Sequence, residues 1–220
     1  IPFRATDERR TKNANFIEAH LRDCLPGANV IRQDDPDPDR FNRGRAVNAA
    51  IEHSERPVLV IADGDVWLPR PALTEAVGRV RRGVGSYVIP FAQIIWFRIG
   101  WSDKVLSGSA HIAQRPPASE VLLEWGGTST GICNVVARTH FEQFGGFDPR
   151  FRGWGFEDCA WDIVASTLGG KHVRLHHHGR HLFHEPCSSK EDPVQIPIGQ
   201  ELHRRYAAAP WIRSRRTSSR

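Results

Sequence analysis

Val58-Leu59-Val60-Ile61-Ala62-Asp63-Gly64-Asp65 is the stretch on which the fold turns. Its five apolar residues form an unbroken run, the pattern of a strand buried on both faces in a parallel sheet. The run leads directly into Asp63-Gly64-Asp65. Because ligands in an open α/β sheet gather beyond the carboxyl ends of the strands, this strand delivers two carboxylates to the edge where a ligand is expected. Two oxygen donors separated by one small residue suit a hard divalent cation, which in turn holds a diphosphate and offsets its charge. Taken alone, the tripeptide also reads as a simple strand-ending turn.

Working outward, Phe16, Ile17 and Leu21 recur at helical spacing until Pro26-Gly27, and Ala28 to Arg32 reads as a short strand. Gln33 to Arg40 is acidic and broken by prolines, hence a loop, and Arg45 to His53 places Ala46, Val47, Ala50 and Ile51 on one helical face. Downstream, helices are expected over 71–84 and 157–168, and strands over 87–91, 132–137 and 171–175. The weakly periodic 102–122 reads as loops and lids, and the Arg- and Ser-rich 211–220 as a disordered tail. Alternation of strands and helices predicts a single α/β domain with a mostly parallel central sheet flanked by helices.

A chain of 220 residues, 40% hydrophobic, buries one good core but hardly two. Lys+Arg number 30 against 25 Asp+Glu, giving +5, and Lys occurs only at Lys12, Lys104, Lys171 and Lys190, so the cations are overwhelmingly Arg. Arg forks suit diphosphates, carboxylates and nucleic-acid backbones. The four cysteines, Cys24, Cys133, Cys159 and Cys187, form no CxxC pair, which argues against a zinc knuckle or disulfide framework and for reduced thiols in the cytoplasm. No run has the roughly 18 apolar residues of a membrane span, so a soluble protein is expected. The chain has no Met and opens at Ile1-Pro2-Phe3-Arg4 in what reads as the end of a strand, so residues completing that strand are expected to precede it.

Two further constellations carry chemistry. Glu157 and Asp158 open a helix, where the dipole favours negative charge and backbone N–H groups can fix carboxylates. The plainer account is N-terminal helix capping, which is very common. The preceding Gly153-Trp154-Gly155, a flat aromatic between residues without side chains, suits a sugar ring, and a carboxylate beside it could accept the proton of a hydroxyl nucleophile. The stretch His176-His177-His178-Gly179-Arg180-His181-Leu182-Phe183-His184 divides: the first three histidines read as a surface tract, while His181 and His184 stand apart from it.

Several segments resemble the β-1,4-galactosyltransferase family. Phe41-Asn42-Arg43-Gly44-Arg45-Ala46-Val47-Asn48 is similar to its FNRxxxxN segment, Ile1-Pro2-Phe3-Arg4 to its nucleotide-touching IPFR strand end, and Asp63-Gly64-Asp65 to its DxD metal motif. Trp125-Gly126-Gly127-Thr128-Ser129 resembles its glycine-rich donor segment. Phe144-Gly145-Gly146-Phe147 with Gly153-Trp154-Gly155-Phe156-Glu157-Asp158 looks like its GF…GWGGED block. The matches occur in family order along essentially the whole chain. The resemblance implies a GT-A fold over 1–210, with a nucleotide-binding half over about 1–90, an acceptor and catalytic half over about 91–210, and a basic tail over 211–220. It implies donor contacts from Pro2, Phe3, Arg4, Asn42, Arg43, Asp63, Gly126, Gly127 and Trp154, and catalysis by Asp158 with Glu157. It also implies a Mn²⁺ or Mg²⁺ site at Asp63 and Asp65, completed by His181 and His184 in place of a Met-x-x-His element. The sequence departs from the family where Phe156 replaces a glycine and where Cys159 and Ala160 replace acidic residues, which leaves the acceptor open.

The expected function is therefore transfer of a hexose or N-acetylhexosamine from a UDP-sugar to a hydroxyl acceptor on a saccharide, a protein or a modified DNA base. Inversion is expected, because the retaining polypeptide N-acetylgalactosaminyltransferases, which the last block also resembles, carry Asn where this chain has Asp158. Alternatives are a retaining enzyme of that second kind, a DNA-modifying transferase or nucleic-acid-binding protein suggested by the basic charge, and a structural protein with a dead site.

Overall fold

A computed structural model describes residues 1–35, 37, 41–127, 129–153, 155–185 and 194–209. Its elements in chain order are α1 (Glu8–Cys24), α2 (Arg43–Glu52), β1 (Val58–Ala62), β2 (Val66–Trp67), α3 (Arg70–Arg81), β3 (Val88–Ile89), β4 (Gln93–Phe97) and α4 (Ile99–Leu106). They continue with β5 (Val121–Gly126), β6 (Cys133–Ala137), α5 (Arg138–Gln143), α6 (Glu157–Gly169), β7 (Val173–Arg174), β8 (His178–His181) and α7 (Gln195–Ala208). The α/β class is as expected. The sheets, however, are mixed rather than mostly parallel. One has the order β1-β6-β3-β7 and the other β2-β8-β4-β5, and only the β3–β7 and β4–β8 pairs run parallel.

The reason lies in what an unbroken apolar run reports. β1 pairs antiparallel with β6, from Val58↔Ala137 to Ala62↔Cys133. Its Leu59 and Ile61 belong to the main core, while Val58 and Val60 pack against a second cluster of Ala76, Val88, Val135 and Leu175. Both faces of β1 are covered. Burial on two sides, not strand direction, produces the sequence signal.

Ala28 to Arg32 forms no strand, and its segment meets Ile1-Pro2-Phe3 through a single parallel bridge, Pro2↔Gln33. Between that segment and β1 runs an apolar slot of about 550 Å³, lined by Leu21, Val30, Ile31, Val47, Ile51 and Leu59 among others. Region 102–122 is more ordered than its weak periodicity suggests: α4 ends within it and β5 begins there. β5 carries exposed Leu122, Leu123 and Trp125, which is why no burial-driven alternation marks it. The tail 211–220 lies outside the described residues. No described helix is long and apolar enough to cross a membrane, and the described cysteines Cys24, Cys133 and Cys159 are unpaired.

Candidate active site

After β1 the chain turns at Asp63-Gly64-Asp65, closed by a hydrogen bond from the Val66 amide to the Asp63 carbonyl at 3.4 Å. Gly64 is needed for space rather than for an unusual backbone angle: a Cβ there would stand 3.3 Å from both Ala14 Cβ and Ile1 Cγ2. The turn passes the chain from the first sheet to the second. There β2 pairs with β8 so that Val66 faces His181, and the Leu182 amide donates to the Asp65 carbonyl at 2.8 Å. Strand register thus returns the histidine pair to Asp65, although His181 lies 116 positions after it in the chain.

Asp65, His181 and His184 each present one ligand atom, and these atoms lie within 4.8 Å of one another. His184 Nε2 is 3.1 Å from Asp65 Oδ2, and His181 Nε2 is 3.5 Å from Asp65 Oδ1. The ring of His181 is stacked on Trp96 with centroids 3.6 Å apart and planes 9° from parallel, so its orientation is set by packing. Arg10 lies 2.8 Å from His184 Nδ1 and also donates to the Glu185 carbonyl. Burial alone would raise the Asp65 pKa. The facing imidazoles of His181 and His184, with Arg10 behind them, outweigh it and hold the carboxyl well below its usual range. For His184 burial acts downward, but its hydrogen bond and charge pairing with Asp65 leave it raised.

Asp63 has a different partner. Its Oδ1 accepts from Arg43 Nε at 2.8 Å, and it is not one of the three clustered ligands. Burial pushes its pKa upward despite Arg43. Arg43 opens α2, whose N-cap Asn42 accepts from the Arg45 amide and donates to the Pro149 carbonyl. The guanidinium lies over the Phe147 ring, 5.6 Å from its centroid, and Nη1 is 3.7 Å from Glu157 Oε1. Nη1 and Nη2 are buried and make no hydrogen bond among the described residues. Arg43 therefore bridges the carboxylates after β1 to those opening α6, while Asn42, expected at the donor, is occupied as a cap.

Glu157 is buried, and burial followed by the neighbouring Asp158 charge lifts its pKa to about 7. Asp158 accepts from the Cys159 amide at 2.9 Å and from the Thr130 hydroxyl at 3.5 Å. Its Oδ2 occupies the space beside Gly131, where a Cβ would come within 2.4 Å. Next to that glycine, Ile132 has φ +70°, a left-handed conformation that costs a β-branched residue energy, and its carbonyl accepts from the Asp63 amide. Phe156, the N-cap of α6, also has a left-handed φ of +72° and offers no side-chain cap. The reading of Glu157 and Asp158 as mere caps thus loses its geometric basis: neither is the N-cap residue.

The other expected donor residues make contacts of their own. Pro2 is buried at its bridge to Gln33, Phe3 lies under Arg32, and Arg4 pairs with Asp34 while covering Phe41. Gly126 ends β5 against the Ala92 carbonyl, 3.2 Å from where its Cβ would be, and Gly127 follows with φ +87°. Trp154 and Thr128 lie outside the described residues. In the histidine tract, His176 and His178 are exposed and His177 pairs with Glu75 at 3.1 Å, as a surface tract should. Gly131, Thr130 and Ile132 escape the sequence reading; the doublet Thr130-Gly131 before an apolar strand is the available signal.

No family model matches the chain, and no curated protein matches it. Among solved structures, the catalytic domain of Drosophila β1,4-galactosyltransferase 7 in complex with xylobiose aligns over 87% of this chain and 76% of its own, with a TM-score of 0.51 and 17% identity. A mutant of the Drosophila enzyme in complex with manganese, UDP-Gal and xylobiose aligns over 90% and 76%, with a TM-score of 0.52 and 16% identity. The chain has a GT-A glycosyltransferase fold. At this level of identity the likeness speaks for architecture, and the chemistry rests on the residues described above.

Proposed function

We propose that the chain is a metal-dependent glycosyltransferase that moves a hexose or N-acetylhexosamine from a UDP-sugar to a hydroxyl acceptor with inversion. The observation that carries this reading is the pair of half-sites joined by Arg43: Asp65 with His181 and His184 on one side, Glu157 with Asp158 on the other. One carboxylate and two imidazoles form a set of intermediate softness that fits Mn²⁺ and accommodates Mg²⁺. When bound, such a cation neutralises charge on the diphosphate leaving group. The Drosophila structure with manganese and UDP-Gal supports the same assignment, and its xylobiose supports a saccharide acceptor.

The chain's own groups supply the rest. The Nη atoms of Arg43 are donors suited to diphosphate oxygens, and Asp63 holds the guanidinium in place from behind. Asp158 takes the proton of the acceptor hydroxyl as its oxygen bonds to the anomeric carbon and the bond from that carbon to the diphosphate oxygen breaks. Glu157, with its pKa lifted to about 7, is partly protonated near neutrality and can donate a hydrogen bond to a sugar hydroxyl. Incubation with a panel of UDP-sugars, Mn²⁺ and simple saccharides, with product linkage read by NMR, tests the proposal. A β-linked product from an α-linked donor is expected. An α-linked product overturns inversion, and neither transfer nor donor hydrolysis with any UDP-sugar overturns the assignment. Asp158→Asn is expected to lower kcat by about 10²- to 10⁴-fold with UDP affinity unchanged.

A further inference from the structure

Phe156 pairs an unfavourable backbone with an unusually specific seat. An aromatic residue at φ +72° occupies a region that L side chains rarely adopt, and such a conformation persists only where surrounding contacts impose it. The contacts here come from α7. A Cβ on Gly199 would lie 3.2 Å from Phe156 Cδ2 and 3.9 Å from Phe151 Cδ1, so both rings close on the same glycine notch. Gly199 is the buried residue of α7. One turn further on, His203 lies against Phe156 with ring centroids 5.8 Å apart. Tyr206 lies 6.1 Å from Phe151 and donates to Asp148 Oδ2 at 2.8 Å. The loop that carries the chain from Phe151 into Glu157 and Asp158 is thus pinned to α7 at both ends, and the N-cap position itself offers no side-chain hydrogen bond to hold the turn at Phe156.

We infer that α7 is a clamp on the carboxylate turn, and that Phe156, seated on Gly199, is a positioning residue for Asp158. The inference rests on the transferase reading for its effect on rate, but the clamp itself is a property of packing. A large side chain at position 199 would drive into the Phe156 ring. Loss of the ring would free the first turn of α6 from α7 while sparing the strands that bring Asp65, His181 and His184 together.

The test compares wild type with Phe156→Leu, Phe156→Tyr, Gly199→Leu and the double variant Phe156→Gly/Gly199→Leu. It uses amide hydrogen exchange over 155–160 and 195–208, together with transfer kinetics and Mn²⁺ affinity. Phe156→Leu and Gly199→Leu are expected to speed exchange in both segments and to lower kcat about 10- to 100-fold, the scale of a misplaced catalytic group, with Mn²⁺ affinity unchanged. Phe156→Tyr keeps the ring and is expected to retain wild-type behaviour. In the double variant the added leucine side chain no longer meets the Phe156 ring, the nearer of the two, and faces only Phe151, so it is expected to be less damaging than Gly199→Leu alone. Unchanged exchange in both segments for Phe156→Leu overturns the clamp. Absence of transfer in every protein, wild type included, overturns the transferase reading and leaves exchange to decide the clamp.

Discussion

Asp65, His181 and His184 are brought together by strand register, whereas Glu157 and Asp158 stand on a left-handed turn shaped by side chains from other segments. On the first side the backbone pairing of Val66 with His181 and of Leu182 with Asp65 leaves little freedom, and stacking on Trp96 fixes a ring. On the second, Phe156 and the nearby Ile132 both occupy positive φ, and Asp158 fits only because position 131 lacks a Cβ. The electrostatics diverge in the same sense. Asp65 is held ionised by histidines, while Glu157 is pushed towards neutrality by burial and by a like charge. On the proposed reading, the group that holds a cation is the one kept charged, and Glu157, beside the proposed base, sits where charge is costly.

Substitutions that strike one half-site and spare the other break or sharpen this contrast. His184→Ala is expected to cost about 10²-fold or more in Mn²⁺ affinity, since a ligand is lost outright, while His177→Ala, which loses only its contact with Glu75, changes affinity by no more than about twofold. Equal losses in the two variants, measured by calorimetry, would assign the whole tract to the surface.

The second expectation concerns pH. Glu157 has a folded pKa of about 7, raised from 4.5, so its ionisation opposes folding. Its contribution to stability is complete below pH about 4.5 and is lost as pH rises through about 7, a change on the order of 2–3 kcal/mol before neighbouring groups titrate. Thermal unfolding of wild type and Glu157→Gln from pH 4.5 to 8 is expected to show wild type falling relative to the variant across that window. Parallel curves would mean that Glu157 is ionised throughout.

The smallest effect is expected from Gly131→Ala. Its new Cβ would sit on Asp158 Oδ2, and moving that carboxylate by a fraction of an ångström is expected to lower kcat about tenfold while leaving Mn²⁺ affinity intact. A loss of metal affinity in this variant would show that the half-sites are not separable.

The contrast also explains what can be read from sequence. The strand 58–62, the carboxylates after it and the helix opened by Glu157 follow from local pattern, and Arg43 and the 181/184 pair from motif resemblance. Strand direction is not legible, because an apolar run records coverage of both faces, which antiparallel β1 also has. β5 escapes because its large apolar residues are exposed. β8 escapes because a strand composed of His-Gly-Arg-His has neither apolar alternation nor strong strand preference. The division of labour between Asp63 and Asp65 is a long-range fact, set by Arg43 on one side and by β8 on the other, and no spacing within Asp63-Gly64-Asp65 encodes it. The same holds for α7, whose role depends on a notch at Gly199 meeting a ring 43 positions earlier.

The most direct test of the central claim is calorimetric titration of UDP into wild type and Asp65→Ala, each with Mn²⁺ and with EDTA. Because Asp65, His181 and His184 form the described cluster able to hold a cation, wild type is expected to bind UDP tightly only with Mn²⁺. Asp65→Ala is expected to lose on the order of a hundredfold or more of that affinity. UDP binding of equal strength in EDTA, or an Asp65→Ala protein that binds as wild type does, would contradict a metal-dependent nucleotide-sugar site at Asp65.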